Sequence, residues 1–296
     1  MTNPNPSLAT NLSSTALPRQ ATELAANPST PPDLRDYTPA RVALTSTGTS
    51  LTTRHALEFA LAHAQARDAV HSILDLATLT SALEARTLPH LRVQSAAPDR
   101  TTYLRRPDLG RTLATTAGAP LFQFHRKGGV SFAEANDRTP PTQPQTATLT
   151  IILADGLSAT ATNRHAIPLL DELIPLLDSW RLTPILLATQ ARVALADPIG
   201  QALRADATLI LIGERPGLSS PDSLGAYITW APRPGRTDAE RNCVSNIRPP
   251  LHDPLNRQAG LDYATAAQKI AWYLTQARRL GLTGITLREP SAALLP

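Results

Sequence analysis

Along residues 40–79, Leu57, Leu61 and Ala64, then Ala66, Val70, Ile73 and Leu74, recur at intervals of about three and four. That spacing predicts an amphipathic helix, with Thr52 or Thr53 as its N-cap. The following "LRVQSAAPDRTTYLRRPDLGRTL" predicts a short strand, a loop and a turn around Pro107 and Gly110. Residues 35–120 therefore read as a small helical domain. The C-terminal half changes period. "ATLTIILA", "PILLAT", "ATLILIG" and "LGAYITWAP" are short apolar runs, the pattern of strands buried on both faces. Helical segments lie between and after them. One carries Ile167, Leu170, Leu173, Ile174 and Leu177 on one face, with Pro175 marking a kink or an early end. The others are "DPIGQALRA" and a last helix, "YATAAQKIAWYLTQARRLG", which stops at Gly281. Right-handed crossovers between such strands predict an α/β fold, a Rossmann-like three-layer domain with a mostly parallel sheet over residues 148–296.

Two stretches lack either period. Residues 1–34 are rich in Pro, Ser, Thr and Asn and read as a flexible, disordered tail. Residues 121–147, flanked and broken by Gly128-Gly129 and Pro140-Pro141, read as a linker or excursion.

The chain has 296 residues, enough to bury a core without metals or disulfides, and its one cysteine excludes an internal disulfide. Neither a secretory signal nor a run long enough for a membrane span is visible, which points to a cytoplasmic protein with no membrane partner. The net charge is +4 and only two lysines, Lys127 and Lys269, are present. The one dense basic cluster, Arg105, Arg106 and Arg111, is interrupted by Asp108, and aromatic residues make up 4%. Nucleic-acid binding is therefore disfavoured, and arginines paired with carboxylates or with a partner subunit are the better reading.

In an open parallel sheet, ligands bind beyond the carboxyl ends of the strands. Two such ends carry carboxylates in glycine-containing turns: Asp155-Gly156-Leu157-Ser158, and Gly213-Glu214-Arg215-Pro216-Gly217. Gly213 and Gly217 would let backbone approach a ligand. Asp155 has the alternative of an Asx-turn or helix cap, and Glu214 that of an ion pair with a nearby arginine. No dinucleotide or Walker-type phosphate fingerprint is present, "GLSAT" lacks the closing glycine of a nucleophile elbow, and His55, His63 and His71 lie too far apart to share a metal. Cys243 has no sequence-adjacent base and reads otherwise as a small buried apolar side chain. The residues alone lead to a ligand at the sheet's carboxyl edge and do not name it.

Five segments together carry a resemblance: "TRHALEFALAHAQARDAVH", "YLRRPDLGR", "ADGLSATA", "LIGERPGL" and "NCVSNIR". In this order, spread over residues 38–288, they resemble the light (small) subunits of ethanolamine ammonia-lyase. The resemblance implies a Rossmann-like domain that covers one side of adenosylcobalamin, with a large (heavy) subunit supplying a TIM barrel and the substrate pocket. The implied reaction converts ethanolamine to acetaldehyde and ammonia through radicals begun by homolysis of the cobalt–carbon bond. No catalytic residue is expected on this chain, which would be inactive alone. Three cobalamin-contacting positions carry over, onto Val193 in "ARVAL", Glu214 in "GERPGL" and Cys243 in "NCVSNI". The family further implies a hexamer of heterodimers, and its "YLRRPDLGR" arginines suit a subunit interface. A bacterial microcompartment is compatible with the same reading. Two departures stand out: Thr45-Ser46-Thr47-Gly48 replaces a G-R-x-G turn, and residues 112–147 are longer than expected. They motivate an alternative, a cobalamin-binding or assembly module diverged from ethanolamine deamination.

Overall fold

The computed structural model describes residues 34, 41–42, 44–115, 146–249 and 260–289. The sequence-based tail, apart from Leu34, and the linker, apart from Thr146 and Ala147, lie outside the described residues.

The N-terminal part opens with a hairpin, β1 (Ser46–Thr47) and β2 (Ser50–Leu51), turning at Gly48. Helix α1 spans Thr53–His71, and the Thr52 side chain accepts from the His55 amide as its cap. The apolar run continues past the helix end: the chain breaks at Ser72, and Asp75 caps a second helix, α2 (Leu76–Glu84). The face inferred for α1 is not a buried one. Only Ala62 and Ala69 of this helix are buried, while Leu57 and Leu61 are exposed. Strand β3 (His90–Gln94) follows, then α3 (Arg100–Arg105), a helix where the sequence suggested a loop. Asp99 supplies the missed start signal by accepting from the Thr102 amide and hydroxyl.

Strand β4 (Thr148–Ala154) runs into α4 (Ala159–Leu173), which ends two residues before Pro175. Pro168 is tolerated inside it. A two-residue β5 (Arg181–Leu182), β6 (Ile185–Thr189), α5 (Ala196–Ala202) and β7 (Ala207–Gly213) come next. The chain closes with β8 (Leu224–Trp230), β9 (Asn242–Ile247) and α6 (Tyr263–Leu280). Gly281 ends α6 in the left-handed conformation.

These strands form a seven-stranded, mostly parallel sheet in the order β3-β6-β4-β7-β8-β9, with β5 beside β4. β3, β6, β4 and β7 are parallel; β7–β8 and β8–β9 are antiparallel. β3, from the segment read as a helical domain, is an edge of this sheet, paired with β6 from His90 opposite Ile185 to Gln94 opposite Thr189. Strand β9 went unrecognised because its burial alternates, with Cys243 and Ser245 exposed between Asn242, Val244 and Ile247. Its end is linked to Leu261 by an isolated bridge, and the Asn242 amide group donates to the carbonyls of Gly284 and Leu287.

Strand alternation divides the core between two faces. Leu149, Ile151 and Leu153 of β4 pack with α2, α4 and α6. Ile152 and Ala154 pack with Leu195 and with Ala196 and Ile199 of α5. Thus β4 sends its helix to one face and β6 sends its helix to the other, which opens a crevice at their carboxyl ends. None of the helices described is long and apolar enough to cross a membrane.

Several of the described arginines meet carboxylates, as at Arg86–Asp171, Arg164–Asp222 and Arg236–Glu240. Among the described residues one pair is buried on both sides: Arg241, before β9, donates to both oxygens of Asp197 in α5, at 2.8 and 2.6 Å, and to the Thr229 hydroxyl. Removing one partner of such a pair strands the other charge away from water. Asp197→Ala should destabilise the fold by about 3–5 kcal/mol, measured by urea unfolding; a loss under about 1 kcal/mol would show that water reaches Arg241.

Candidate functional site

The carboxyl edge is organised around Asp155, at the end of β4. Its buried carboxylate accepts from the amides of Gly156 (2.9 Å), Gln190 (2.7 Å) and Ala191 (2.9 Å), and faces Arg100 at 3.7 Å. Burial raises its pKa above the usual carboxylate range, and the three amides and Arg100 oppose that rise without reversing it. Neither an Asx-turn nor a helix cap describes Asp155: the Leu157 amide goes to the Gly213 carbonyl and the cap position of α4 is Ser158, while Asp155 ties its own turn to the loop after β6. Gly213 is likewise used internally: a Cβ there would stand 1.9 Å from the Ser158 carbonyl oxygen, so its bareness admits the β4–α4 turn.

Glu214 lies half-buried just beyond β7. Its carboxylate accepts from the hydroxyls of Ser223 and Ser245, the latter at 2.5 Å, and from the Asn246 amide at 3.3 Å. None of the arginines described pairs with it, so the ion-pair alternative gives way to a serine-and-amide cradle. Gly225 makes room for this side chain: a Cβ there would meet Glu214 Oε1 at 2.8 Å and the Tyr227 ring at 3.0 Å. On β9, Cys243 is the cross-strand partner of Tyr227. Cys243 and Ser245 alternate with Val244, which points into the core beneath α6. Glu214, Ser245, Cys243 and Tyr227 consequently make one continuous patch, on the sheet face opposite α6 and beyond the cover of α5.

Cys243 is exposed at its surface. Its thiol nevertheless sits among neighbouring side chains, and that desolvation lifts its pKa to about 11; the Tyr227 hydroxyl pulls it back and the Glu214 charge adds to the rise. It is a neutral, weakly polar group at pH 7, not a nucleophile. Val193 opens a short 3-10 turn after β6 (Val193–Leu195) and is half-buried against the α5-side core. It shares the sheet face of the patch. β6 and β7 flank β4, so Val193 and Glu214 stand on either side of the central strand.

The loop after β6 is held from outside by "YLRRPDLGR". Tyr103 is fully buried, donates to the Ala191 carbonyl at 3.0 Å, and lies between the guanidinium groups of Arg100 and Arg192, 4.8 and 4.4 Å from its ring centre. Arg192 in turn donates its amide to Gly110. Arg106 is exposed and paired with Asp108 in its own turn.

Ser223, Ser245 and Gly225, which shape the Glu214 cradle, are not evident from sequence. Their roles depend on the β7–β8–β9 register, and the only local signal is the small-residue alternation around Cys243.

A family model described as ethanolamine ammonia-lyase light chain (EutC) matches residues 29–288. The ethanolamine ammonia-lyase small subunit of Azotobacter vinelandii is 49% identical over 258 residues, which is 86% of this chain and 87% of the relative. That of Pseudomonas aeruginosa is 47% identical over 267 residues, 90% of this chain and 88% of the relative. That of Bradyrhizobium diazoefficiens is 47% identical over 267 residues, 89% and 92% of the two chains.

Because Cys243 is the single cysteine, alkylation reads it alone. With a pKa of about 11, only about one thiol in ten thousand is ionised at pH 7. Iodoacetamide should react slowly there and accelerate about tenfold per pH unit up to pH 10. A rate that levels off near pH 8.5 would mean the thiol is not desolvated.

Proposed function

The chain belongs to the ethanolamine ammonia-lyase light chain family and is a lyase subunit; we propose that it covers one side of adenosylcobalamin at its contact with the large subunit, through Glu214, Cys243 and Val193. The observation that carries this reading is that, among the described residues, Cys243 and Ser245 are exposed and Glu214 half-buried together on the sheet face beside α5. A corrinoid has an apolar ring edge and a fringe of amide side chains, and the patch offers a surface of both characters. Cys243 and the Tyr227 ring supply weakly polar area, and Val193 supplies an apolar contact across β4.

Glu214 suits an amide donor. A carboxylate has about four acceptor positions, and Ser223, Ser245 and Asn246 take three here. The remaining one can accept an N–H without disturbing the cradle. Its three protein donors also fix the carboxylate before any ligand arrives, which lowers the ordering cost of binding. When bound, adenosylcobalamin supplies the radical chemistry that converts ethanolamine to acetaldehyde and ammonia. This chain's part is to hold and orient the corrinoid and to exclude water from that side. Substrate contacts fall to the large subunit.

The family also supports the finer reading of the fold as Rossmann-like, assembly as a hexamer of heterodimers, and a cytoplasmic place inside or outside a microcompartment. Exposed Arg105, Arg106 and Arg111 suit the subunit contact. A second reading, a cobalamin-binding or assembly module no longer tied to ethanolamine, is favoured by the altered Thr45–Gly48 turn and the long 112–147 segment.

The test is reconstitution with the cognate large subunit. Acetaldehyde should form from ethanolamine only when both chains and adenosylcobalamin are present. An intact complex that binds the cofactor without turning over ethanolamine would support the second reading. Glu214→Ala should weaken cofactor binding to the complex by about 1.5–3 kcal/mol, roughly 10- to 150-fold in Kd. An unchanged titration would remove Glu214 from the site.

A further inference from the structure

His165 is an odd residue for its position. It is buried on α4 near Thr162, Ala166 and Leu169, where an apolar side chain would pack the helix equally well. A polar ring placed there costs free energy unless its nitrogens are occupied, so its partners indicate its purpose. Nδ1 is hydrogen-bonded at 2.8 Å to the Tyr263 hydroxyl at the start of α6, whereas Nε2 makes no hydrogen bond and faces Asp222 Oδ2 at 3.4 Å, a charge contact inside the core. A carboxylate can only accept, so the proton of a neutral ring belongs on Nε2 and Nδ1 accepts from tyrosine. Asp222 also pairs with Arg164 at 2.9 Å. His165 first, and Arg164 after it, hold the Asp222 carboxyl well below the usual carboxylate range.

Asp222 is the residue before Ser223, whose carbonyl accepts from the Glu214 amide at 2.9 Å and whose hydroxyl donates to the Glu214 carboxylate. The preceding Pro221 carbonyl is held by the Ser158 hydroxyl at 2.8 Å. The return arm of the loop after β7 is thus fastened to α4 immediately before it reaches Glu214.

We propose that His165, acting through Asp222, is a positioning residue that sets the Glu214 carboxylate for the corrinoid. The inference rests on the cobalamin reading above and extends it to a side chain on the other face of the sheet. Neither His165 nor Asp222 touches the patch. Their effect is transmitted through Ser223, and it concerns where the carboxylate stands rather than whether the sheet forms.

The experiment uses the full chain reconstituted with its large subunit, titrated with adenosylcobalamin by absorbance, alongside the melting temperature of each complex. His165→Ala and Asp222→Asn should each raise the cofactor Kd about 10-fold, the lower end of what losing an outer-shell partner costs a bound group. His165→Gln can donate to Asp222 and accept from Tyr263, and it should return the Kd to within about 3-fold of wild type. A structural role alone would lower the melting temperature in proportion and leave Kd unmoved, and that result would overturn the proposal. Should His165→Ala fail to fold, an unchanged Kd in Asp222→Asn overturns it equally. Glu214→Ala separates the two layers. If that variant weakens binding while the His165 and Asp222 variants do not, only the positioning role falls. If Glu214→Ala binds normally, the site reading itself is wrong.

Discussion

The carboxyl edge of this protein depends on one buried carboxyl group. Asp155 closes β4, and its oxygens gather three backbone amides, two of them from the loop after β6. Buried carboxylates are costly unless their acceptor positions are filled, and filling them here fixes two neighbouring loops relative to each other. Arg100 extends the constraint outward by donating to the carbonyls of Gly156 and Val70, which brings the end of α1 to the same point. Tyr103, tied to Ala191 and flanked by two guanidinium groups, locks the far side. Val193 begins two residues beyond Ala191, so its place on the sheet face is inherited from this network.

Glu214 is held by separate means. Its cradle comes from the β7–β8–β9 meander, through two serines and one amide, with Gly225 giving room. The two halves of the candidate site thus belong to different structural systems on either side of β4: one fixed by a buried carboxyl group, the other by sheet register. A ligand spanning both would report on their relative placement.

Much of the sheet was legible because its central strands are wholly apolar. β4 and β7 are buried at every position, which is the pattern that "TLTIILA" and "ATLILIG" announce. β9 was not, since one of its faces is open, and a half-exposed strand of small polar residues resembles a loop. The α1 periodicity was real but its burial was not, because spacing reports a face and says nothing of what covers it. Asp155 was singled out correctly as a special carboxylate, yet its structural role needed the loop after β6, which lies 35 residues away. Glu214 was visible as a carboxylate in a glycine-containing turn at a strand end, while Cys243, Val193 and the ligand assigned to all three came from family resemblance. Local spacing contributed only the edge on which Glu214 and Val193 fall, and the serines that shape the Glu214 site depend on register.

The outer side of β9 has a further consequence. A strand at the rim of a sheet offers unpaired amides and carbonyls to any passing chain, and is a template for aggregation. Here Leu261 bridges its end, and the Asn242 side chain ties its beginning to the segment after α6. Those two attachments shield the rim at both ends while leaving the broad face of the strand open. Among the described residues, the rim of the sheet is thereby anchored at both of its ends while Cys243 and Ser245 stay exposed between them.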